Sequence, residues 1–222
     1  MLDKKYRCSD VLPLFRSEAA ATLEALKFYL ETLKSFIDNE REKEISTLKR
    51  EVEHLSDDDQ GELWAWHYPV HWDDIFASQL RASFVVTVMS LAESHLGMVA
   101  EQASEIASSA IKSRDLRGGL FERHRKFLET LAGFSRPAKD SWNSLHEIRE
   151  IRNCIVHANS TIYNSHNQER LRSLVKTLPG LSANHEVIEL SSEFPRHSLA
   201  AVQKFITELY DEASILCQRF VQ

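Results

Sequence analysis

Glycine and proline are scarce in this sequence, with 6 Gly and 5 Pro among 222 residues. A β-sandwich or barrel needs many short strands joined by tight turns, and these two residue types supply much of that turn chemistry. Apolar residues make up 43% of the chain and charged residues 27%, so a packed core is feasible and extended disorder is not expected. The composition therefore favours a mainly helical, folded protein.

Cysteine is also scarce, and Cys8, Cys154 and Cys217 are far apart. No pair of them has metal-ligand spacing, and their odd number does not predict a disulfide framework. The first residues carry charge with no apolar segment behind them, so no signal peptide is predicted. The longest uncharged stretch in the middle of the chain, 82–92, has 11 residues, too few to span a bilayer. We expect a cytoplasmic protein that enters no membrane and uses no metal or other cofactor.

Acidic residues outnumber basic ones, 33 to 27, which gives a net charge of -6. This balance argues against a protein that coats nucleic acid through a uniformly basic surface. A local basic segment nevertheless lies between positions 112 and 126. It comprises Lys112, Arg114, Arg117, Arg123, Arg125 and Lys126. Together with Arg149 these residues can bind RNA phosphates, and an ordinary solvated helix and loop is an equal alternative.

Apolar residues recur at spacings of three and four over most of the chain, which is the period of an amphipathic helix. We predict an all-α helical bundle of about five main helices in one domain, 1–222, with a short β-hairpin near residues 178–191. The N-terminal part, 1–62, is predicted to contain a long helix and an acidic loop at Asp57–Asp59. The predicted helices cover 17–55 (one helix or two), 73–107, 120–134, 140–159 and 195–220.

Three of the four tryptophans fall in the segment Trp64–Trp72, where Pro69 prevents a regular helix. Exposed aromatic rings can stack on single-stranded bases. Large aromatic residues more often cover the core of a bundle. We expect the Trp64–Trp72 segment to do the latter.

The sequence Arg152-Asn153-Cys-Ile-Val-His157 closes the predicted helix that begins near residue 140. At about 100° per residue, Arg152 and His157 are about 140° apart around the helix axis, whereas Asn153 and His157 share a face. Arg152 falls within the apolar arc, where a charged guanidinium needs a partner. One helix does not readily present Arg152 and His157 to a single phosphate, but two facing each other across a two-fold axis can. We therefore predict a homodimer formed through this helix.

This motif resembles the signature of the HEPN superfamily, small helical-bundle proteins of defence systems. That signature is Arg, four to six residues, then His, often with Asn directly after the Arg. The resemblance extends loosely over residues 73–222. It implies a metal-independent endoribonuclease that acts as a toxin or antiviral effector, with a composite site in a dimer and an antitoxin or other regulatory partner.

The implied reaction is cleavage of single-stranded RNA by attack of its own 2′-hydroxyl group. The products are a 2′,3′-cyclic phosphate and a 5′-hydroxyl group. His157 is expected to transfer protons near neutral pH. Arg152 is expected to stabilise the negative charge on the pentacoordinate phosphate, and Asn153 to bind a phosphate oxygen or orient His157.

Two alternatives to the nuclease stay open at this point. Many relatives are catalytically silent, so the chain can be a non-catalytic HEPN binding module. It can also be a helical dimeric scaffold in a defence complex, where the motif is only a dimer contact. In a purely structural role, Arg152 caps the helix or pairs with Glu147 or Glu150, and His157 lies on the surface at the helix C-terminus.

Overall fold

The computed structural model describes the backbone of residues 4–221 and the side chains of residues 11–219. It confirms the all-α helical bundle with a short β-hairpin. Its helices are α1 (Lys4–Val52), α2 (Asp57–His67), α3 (Ser78–Ile106), α4 (Leu120–Lys126), α5 (Lys139–Ala158), α6 (Gln168–Thr177) and α7 (Glu193–Val221). The strands β1 (Leu181–Asn184) and β2 (Val187–Leu190) pair antiparallel, with Leu181 opposite Leu190 and Asn184 opposite Val187.

Helix α3 lies at the centre of the bundle and packs on α1, α5 and α7. Its side chains Val85, Val88 and Leu96 are 0% exposed. The apolar face of α3 is broad because Val85 and Val86 widen the stripe set by Phe84 and Val88, and a wide apolar face is typical of a helix covered on several sides. A π-helical turn, Trp72–Ala77, leads directly into α3.

The N-terminal part differs from the prediction at the start of α1 and at Asp57–Asp59. Helix α1 is already formed at Lys4 and continues through Pro13, whereas the sequence predicted a start near residue 17. Burial of Leu12 and Ala19 at 2% and 0% exposure shows that tertiary packing stabilises this part of α1 in spite of Pro13.

The acidic residues Asp57–Asp59 form the first turn of α2, so the prediction of an acidic loop is wrong. Ser56 caps this helix, and its hydroxyl oxygen accepts a hydrogen bond from the Asp59 backbone N–H at 3.3 Å. Carboxylates are favoured in the first turn because the helix N-terminus carries a partial positive charge. A run of three aspartates is therefore typical of the first turn of a helix as well as of a loop.

The Trp64–Trp72 segment does not cover the core as expected. Trp66 is 79% exposed, and none of the side chains of α2 is buried. The segment is helical up to His67, is interrupted at Tyr68–Pro69 and becomes helical again just beyond, as Pro69 predicts. Trp72 is half-buried and donates a hydrogen bond from its indole N–H to Glu44 of α1.

Two carboxylates of α7 fix the loop that leads into α5. Glu212 is 3% exposed, and its Oε1 accepts hydrogen bonds from the Ser135 backbone N–H at 3.0 Å and from Ser135 Oγ at 3.1 Å. Glu208 accepts from the Ala138 backbone N–H at 2.8 Å, directly before α5. A buried carboxylate needs such donors, so α7 determines where α5 begins.

One stretch of the described chain, Asp57–Ile106, is apolar enough to cross a membrane by length and composition, with an 18-residue window of mean hydropathy 1.5. The uncharged runs of the sequence did not indicate this stretch, because charged residues such as Arg81 and Glu93 interrupt it. Core helices pass the same test, and α3 packs its apolar side chains in the core. The stretch is therefore weak support for a membrane segment.

The cysteines differ in state. Cys154 is a free, buried thiol, whereas Cys217 is disulfide-bonded. The sequence did not predict this bond, because an odd number of widely spaced cysteines gives no signal for a disulfide. A disulfide does not favour a reducing compartment, so the cytoplasmic location is not confirmed.

His95 is a hydrogen-bonded residue of the core. Its Nδ1 lies 2.7 Å from Tyr210 Oη, and both side chains are buried. Burial lowers the pKa of His95 and raises that of Tyr210, because the low-dielectric core disfavours the charged form of each group.

The His95 site predicts a loss of stability in acid. Since the pKa of His95 is lowered on folding, the unfolded chain binds this proton first as the pH falls below about 6.5, and the free energy of unfolding should decrease there. Urea unfolding at about pH 7.5 and about pH 5 measures this change. The change should be smaller in His95→Gln than in the wild type. An equal change in both proteins would contradict the assignment to His95.

Candidate functional site

Helix α5 carries the Arg152-Asn153-His157 motif. Leu145, Ile148 and Ile151 are 0% exposed and pack against α3 and α7, which fixes the rotation of the helix. The helix ends at Asn159, whose φ of 50° is left-handed and whose N–H bonds to the Cys154 carbonyl. Asparagine tolerates this conformation better than most residues, so the helix stops two residues after His157.

Arg152 is held at the edge of the contact between α5 and α3. Its side chain is 20% exposed, its Nη1 donates to Asn153 Oδ1 at 3.1 Å, and its Nη2 lies 3.5 Å from Glu93 Oε2 of α3. The Nε atom of Arg152 is buried without a hydrogen-bond partner. The guanidinium of Arg152 on the apolar side of α5 therefore has a carboxylate partner, which its position in the apolar arc required.

Arg149 lies one turn before Arg152 and shares the same carboxylate. Its Nε is 3.7 Å from Glu93 Oε1, and its Nη1 donates to Glu122 Oε1 of α4 at 2.8 Å. Burial of Glu122 acts to raise the pKa of this carboxyl, but a backbone hydrogen bond and the Arg149 guanidinium outweigh it and lower the pKa. Arg149 is thus engaged by carboxylates of two other helices.

His157 is exposed and lines a groove of about 380 Å³, called the motif groove below, formed by α5, α6 and the connection between them. The residues that line the motif groove are Glu150, Asn153, Cys154, His157, Ala158, Asn164, Ser165, His166, Asn167 and Leu171. Arg152 does not line it. Within one chain the groove therefore contains His157 and Asn153 but not the guanidinium, in agreement with their positions around the helix.

Asn153 connects the two halves of the motif. Its side-chain oxygen accepts a hydrogen bond from Arg152, and the same side chain lines the motif groove together with His157.

The acidic neighbours of the motif do not pair with Arg152. Glu147 binds Arg170, and Glu150 accepts a hydrogen bond from Asn167 Nδ2 at 2.7 Å.

The basic segment is less basic in three dimensions than in sequence. Lys112 pairs with Glu101 and Arg125 with Glu129, at 2.8 Å and 2.9 Å. Arg125 also lies over the ring of Trp142, with 5.2 Å from its Cζ to the ring centroid. Arg114, Arg117 and Lys126 are exposed and Arg123 is half-buried, and none of the four forms an ion pair with a described side chain.

Glu93 and the far side of the motif groove were not predicted from the sequence. Glu93 lies in an otherwise apolar part of α3, and nothing in its local sequence indicates that two arginines of α5 face it. The residues Asn164 and His166 belong to a connection that the sequence analysis did not interpret. The only local signal was the density of Asn, Ser and His in 159–167, which is typical of a polar turn.

Cys154 lines the motif groove but is not an activated thiol. Its side chain is 2% exposed, and burial raises its pKa, although Ser165 Oγ donates to its Sγ at 3.3 Å. A thiolate is the reactive form, so this residue does not suit nucleophilic catalysis. Among the described residues, no group of three His, Cys, Asp or Glu side chains is placed to hold a metal ion.

Comparison of the chain with protein-family models, with curated proteins and with solved structures gave no match.

The Glu93 site predicts a measurable contribution to stability. Glu93→Gln should lower the free energy of unfolding by about 1 to 2 kcal/mol, because two half-buried guanidinium groups lose a shared carboxylate. Glu101→Gln is the matched control on the same helix. Its pair with Lys112 is half-exposed, so its loss should change stability by less than about 0.5 kcal/mol. Equal effects of the two substitutions in urea unfolding would contradict this role of Glu93.

Proposed function

We propose that the chain is a metal-independent endoribonuclease of the HEPN type that cleaves single-stranded RNA. In this proposal it is a cytoplasmic toxin or antiviral effector, it acts as a homodimer, and an antitoxin or other regulatory protein controls it. The observation that carries the proposal is the position of Asn153, which binds Arg152 and lines the same groove as His157.

The reaction transfers one proton at each end of the phosphate. His157 removes the proton of the RNA 2′-hydroxyl group, the 2′-oxygen forms a bond to phosphorus, and the bond to the 5′-oxygen breaks. The leaving 5′-oxygen takes up a proton from water, and His157 returns its proton to the solvent, which gives a 5′-hydroxyl group and a 2′,3′-cyclic phosphate. Arg152 binds the non-bridging oxygens and stabilises the charge of the pentacoordinate state. DNA lacks the attacking group, so the reaction is specific for RNA.

The surface of α5 supports a site formed by two chains. Arg149, Arg152 and Val156 follow one another at helical spacing on one strip, and Asn153 and His157 lie on the adjacent strip. Val156 is 48% exposed although it is apolar. In a two-fold dimer, contact between the two α5 helices covers Val156 and brings His157 of each chain towards Arg152 of the other.

The exposed basic residues extend this site along the substrate. Arg114, Arg117 and Lys126 surround α4, which is joined to α5 through the ion pair between Glu122 and Arg149. In the proposal they bind RNA phosphates on either side of the cut. Their contribution should be modest and dependent on salt, since each replaces one counterion of a single strand.

A second candidate is a non-catalytic binding module of the same fold. The ion pair between Arg152 and Glu93 favours it over the nuclease, because a guanidinium 3.5 Å from a carboxylate is partly neutralised and stabilises the charge of a pentacoordinate phosphate less well. Among the described side chains, only the exposed apolar side chain of Val156 favours the helical scaffold. Measurements of RNA cleavage and RNA binding distinguish the nuclease, the binding module and the scaffold.

Cleavage of RNA in the presence of EDTA is the direct test. The wild type should produce 2′,3′-cyclic phosphate ends, and Arg152→Ala and His157→Ala should each reduce the rate by about 10²- to 10⁴-fold. The matched control is His146→Ala, which removes an exposed histidine of α5 outside the motif groove and should leave the rate unchanged. Binding of RNA without cleavage in all variants would select the non-catalytic module, and neither binding nor cleavage would select the scaffold.

Mixing two inactive variants tests the composite site. Arg152→Ala and His157→Ala chains that exchange subunits should regain about a quarter of the wild-type activity, because half of the dimers are mixed and each has one intact site. Size measurement by sedimentation should show a dimer at micromolar concentration. Failure to regain activity in a demonstrated heterodimer would place both residues of one site in the same chain.

A further inference from the structure

The motif groove has the chemistry of a base-binding site and not that of a phosphate-binding site. Its lining, taken over the described side chains, contains no Lys or Arg but does contain the carboxylate of Glu150. A carboxylate repels phosphate, whereas amides, imidazoles and carboxylates match the donors and acceptors on the edges of nucleic-acid bases. A volume of about 380 Å³ is near the lower end for small-molecule pockets and suits one nucleoside.

Two hydrogen bonds determine which donors and acceptors the groove offers. Glu150 Oε2 accepts from Asn167 Nδ2 at 2.7 Å, which leaves Glu150 Oε1 and Asn167 Oδ1 as acceptors. Asn153 Oδ1 accepts from Arg152, which leaves the Asn153 amide N–H groups as donors. The wall of the groove therefore presents acceptors on the side of Glu150 and Asn167 and a donor at Asn153, beside His157.

The protein's own hydrogen bonds hold the far wall of the motif groove in place. Two backbone hydrogen bonds of 2.8 Å join the 160–167 connection to the hairpin: Ile162 N–H to the Glu186 carbonyl and Ile188 N–H to the Ser160 carbonyl. Ser165 Oγ is fixed by Cys154 and by the Thr161 carbonyl, each at 3.3 Å. A preformed site avoids part of the entropic cost of binding.

We propose that the motif groove binds the base of the nucleotide next to the scissile phosphate and prefers adenine or cytosine to uracil. Both preferred bases carry an exocyclic amino group beside a ring nitrogen acceptor, which complements acceptors at Glu150 and Asn167 and a donor at Asn153. Uracil has a carbonyl oxygen where they have the amino group. The assignment to substrate rests on the proposed nuclease function, since it places the phosphate outside the groove, near Arg152 and His157.

Calorimetric titration with 3′-AMP, 3′-CMP and 3′-UMP tests the base preference without cleavage. The wild type should bind 3′-AMP and 3′-CMP about tenfold more tightly than 3′-UMP. Glu150→Gln and Asn167→Ala should remove most of this difference. The matched control is Glu147→Gln, because Glu147 lies one turn earlier on α5, binds Arg170 and does not line the groove. Equal affinity for all three nucleotides, or a preference that both groove variants retain, overturns the proposal.

A second arm compares oligonucleotides that differ only in the base at the cut. Faster cleavage beside adenine or cytosine in the wild type, lost in Glu150→Gln, supports a substrate site.

Base-selective binding of mononucleotides with no influence of the base on cleavage would identify a site for a free nucleotide and overturn the substrate assignment. RNA cleavage with no base preference in either arm would overturn the base site and leave the nuclease intact. Base-selective binding by a protein that cuts no RNA would overturn the nuclease and leave the base site.

Discussion

The packing of α5 against α3 is the contact on which the candidate site depends. Leu145, Ile148 and Ile151 are fully buried, and this fixes the rotation of the helix. With 3.6 residues per turn, Arg149 and Arg152 then fall at the edge of the contact, where a guanidinium is too buried to be left unpaired. Glu93 of α3 satisfies both. The charge arrangement is thus a consequence of the apolar packing.

The left-handed end of α5 is the second structural constraint. Asn159 and Ser160 have φ values of 50° and 61°, and they turn the chain back towards its own helix. The following residues are fixed by backbone hydrogen bonds to the hairpin, so they form the far wall of the motif groove. A straight continuation of α5 would leave His157 on an open surface. The backbone turn therefore places a polar groove beside the histidine.

The long helices could be predicted from the sequence because their apolar period persists over many turns. The prediction failed where the same sequence pattern is typical of two different structures. Asp57–Asp59 is equally typical of a loop and of a capped helix start, and Trp66 is exposed although its neighbours are aromatic. Helix α6 was missed because it is short and only two of its residues are buried, Leu171 and Leu174.

Only the part of the site that lies on α5 could be predicted from the sequence. The spacing of Arg152, Asn153 and His157 determined their relative positions on α5, and the structure agrees. The partner Glu93 and part of the groove lining come from other elements, and a single sequence contains no signal for such pairings. The basic segment was overestimated for the same reason. Glu101, which pairs with Lys112, is more than ten residues away in the chain.

The distance between Arg152 and Glu93 bears on whether the guanidinium can bind substrate. At 3.5 Å this ion pair is longer than a good charge-assisted hydrogen bond. A phosphate that offers shorter hydrogen bonds can therefore compete with Glu93. In the proposed dimer the second α5 helix also excludes water from this strip, which strengthens the attraction between Arg152 and a phosphate. Dimer formation and substrate binding would then favour each other, because the second helix strengthens the attraction between Arg152 and the phosphate.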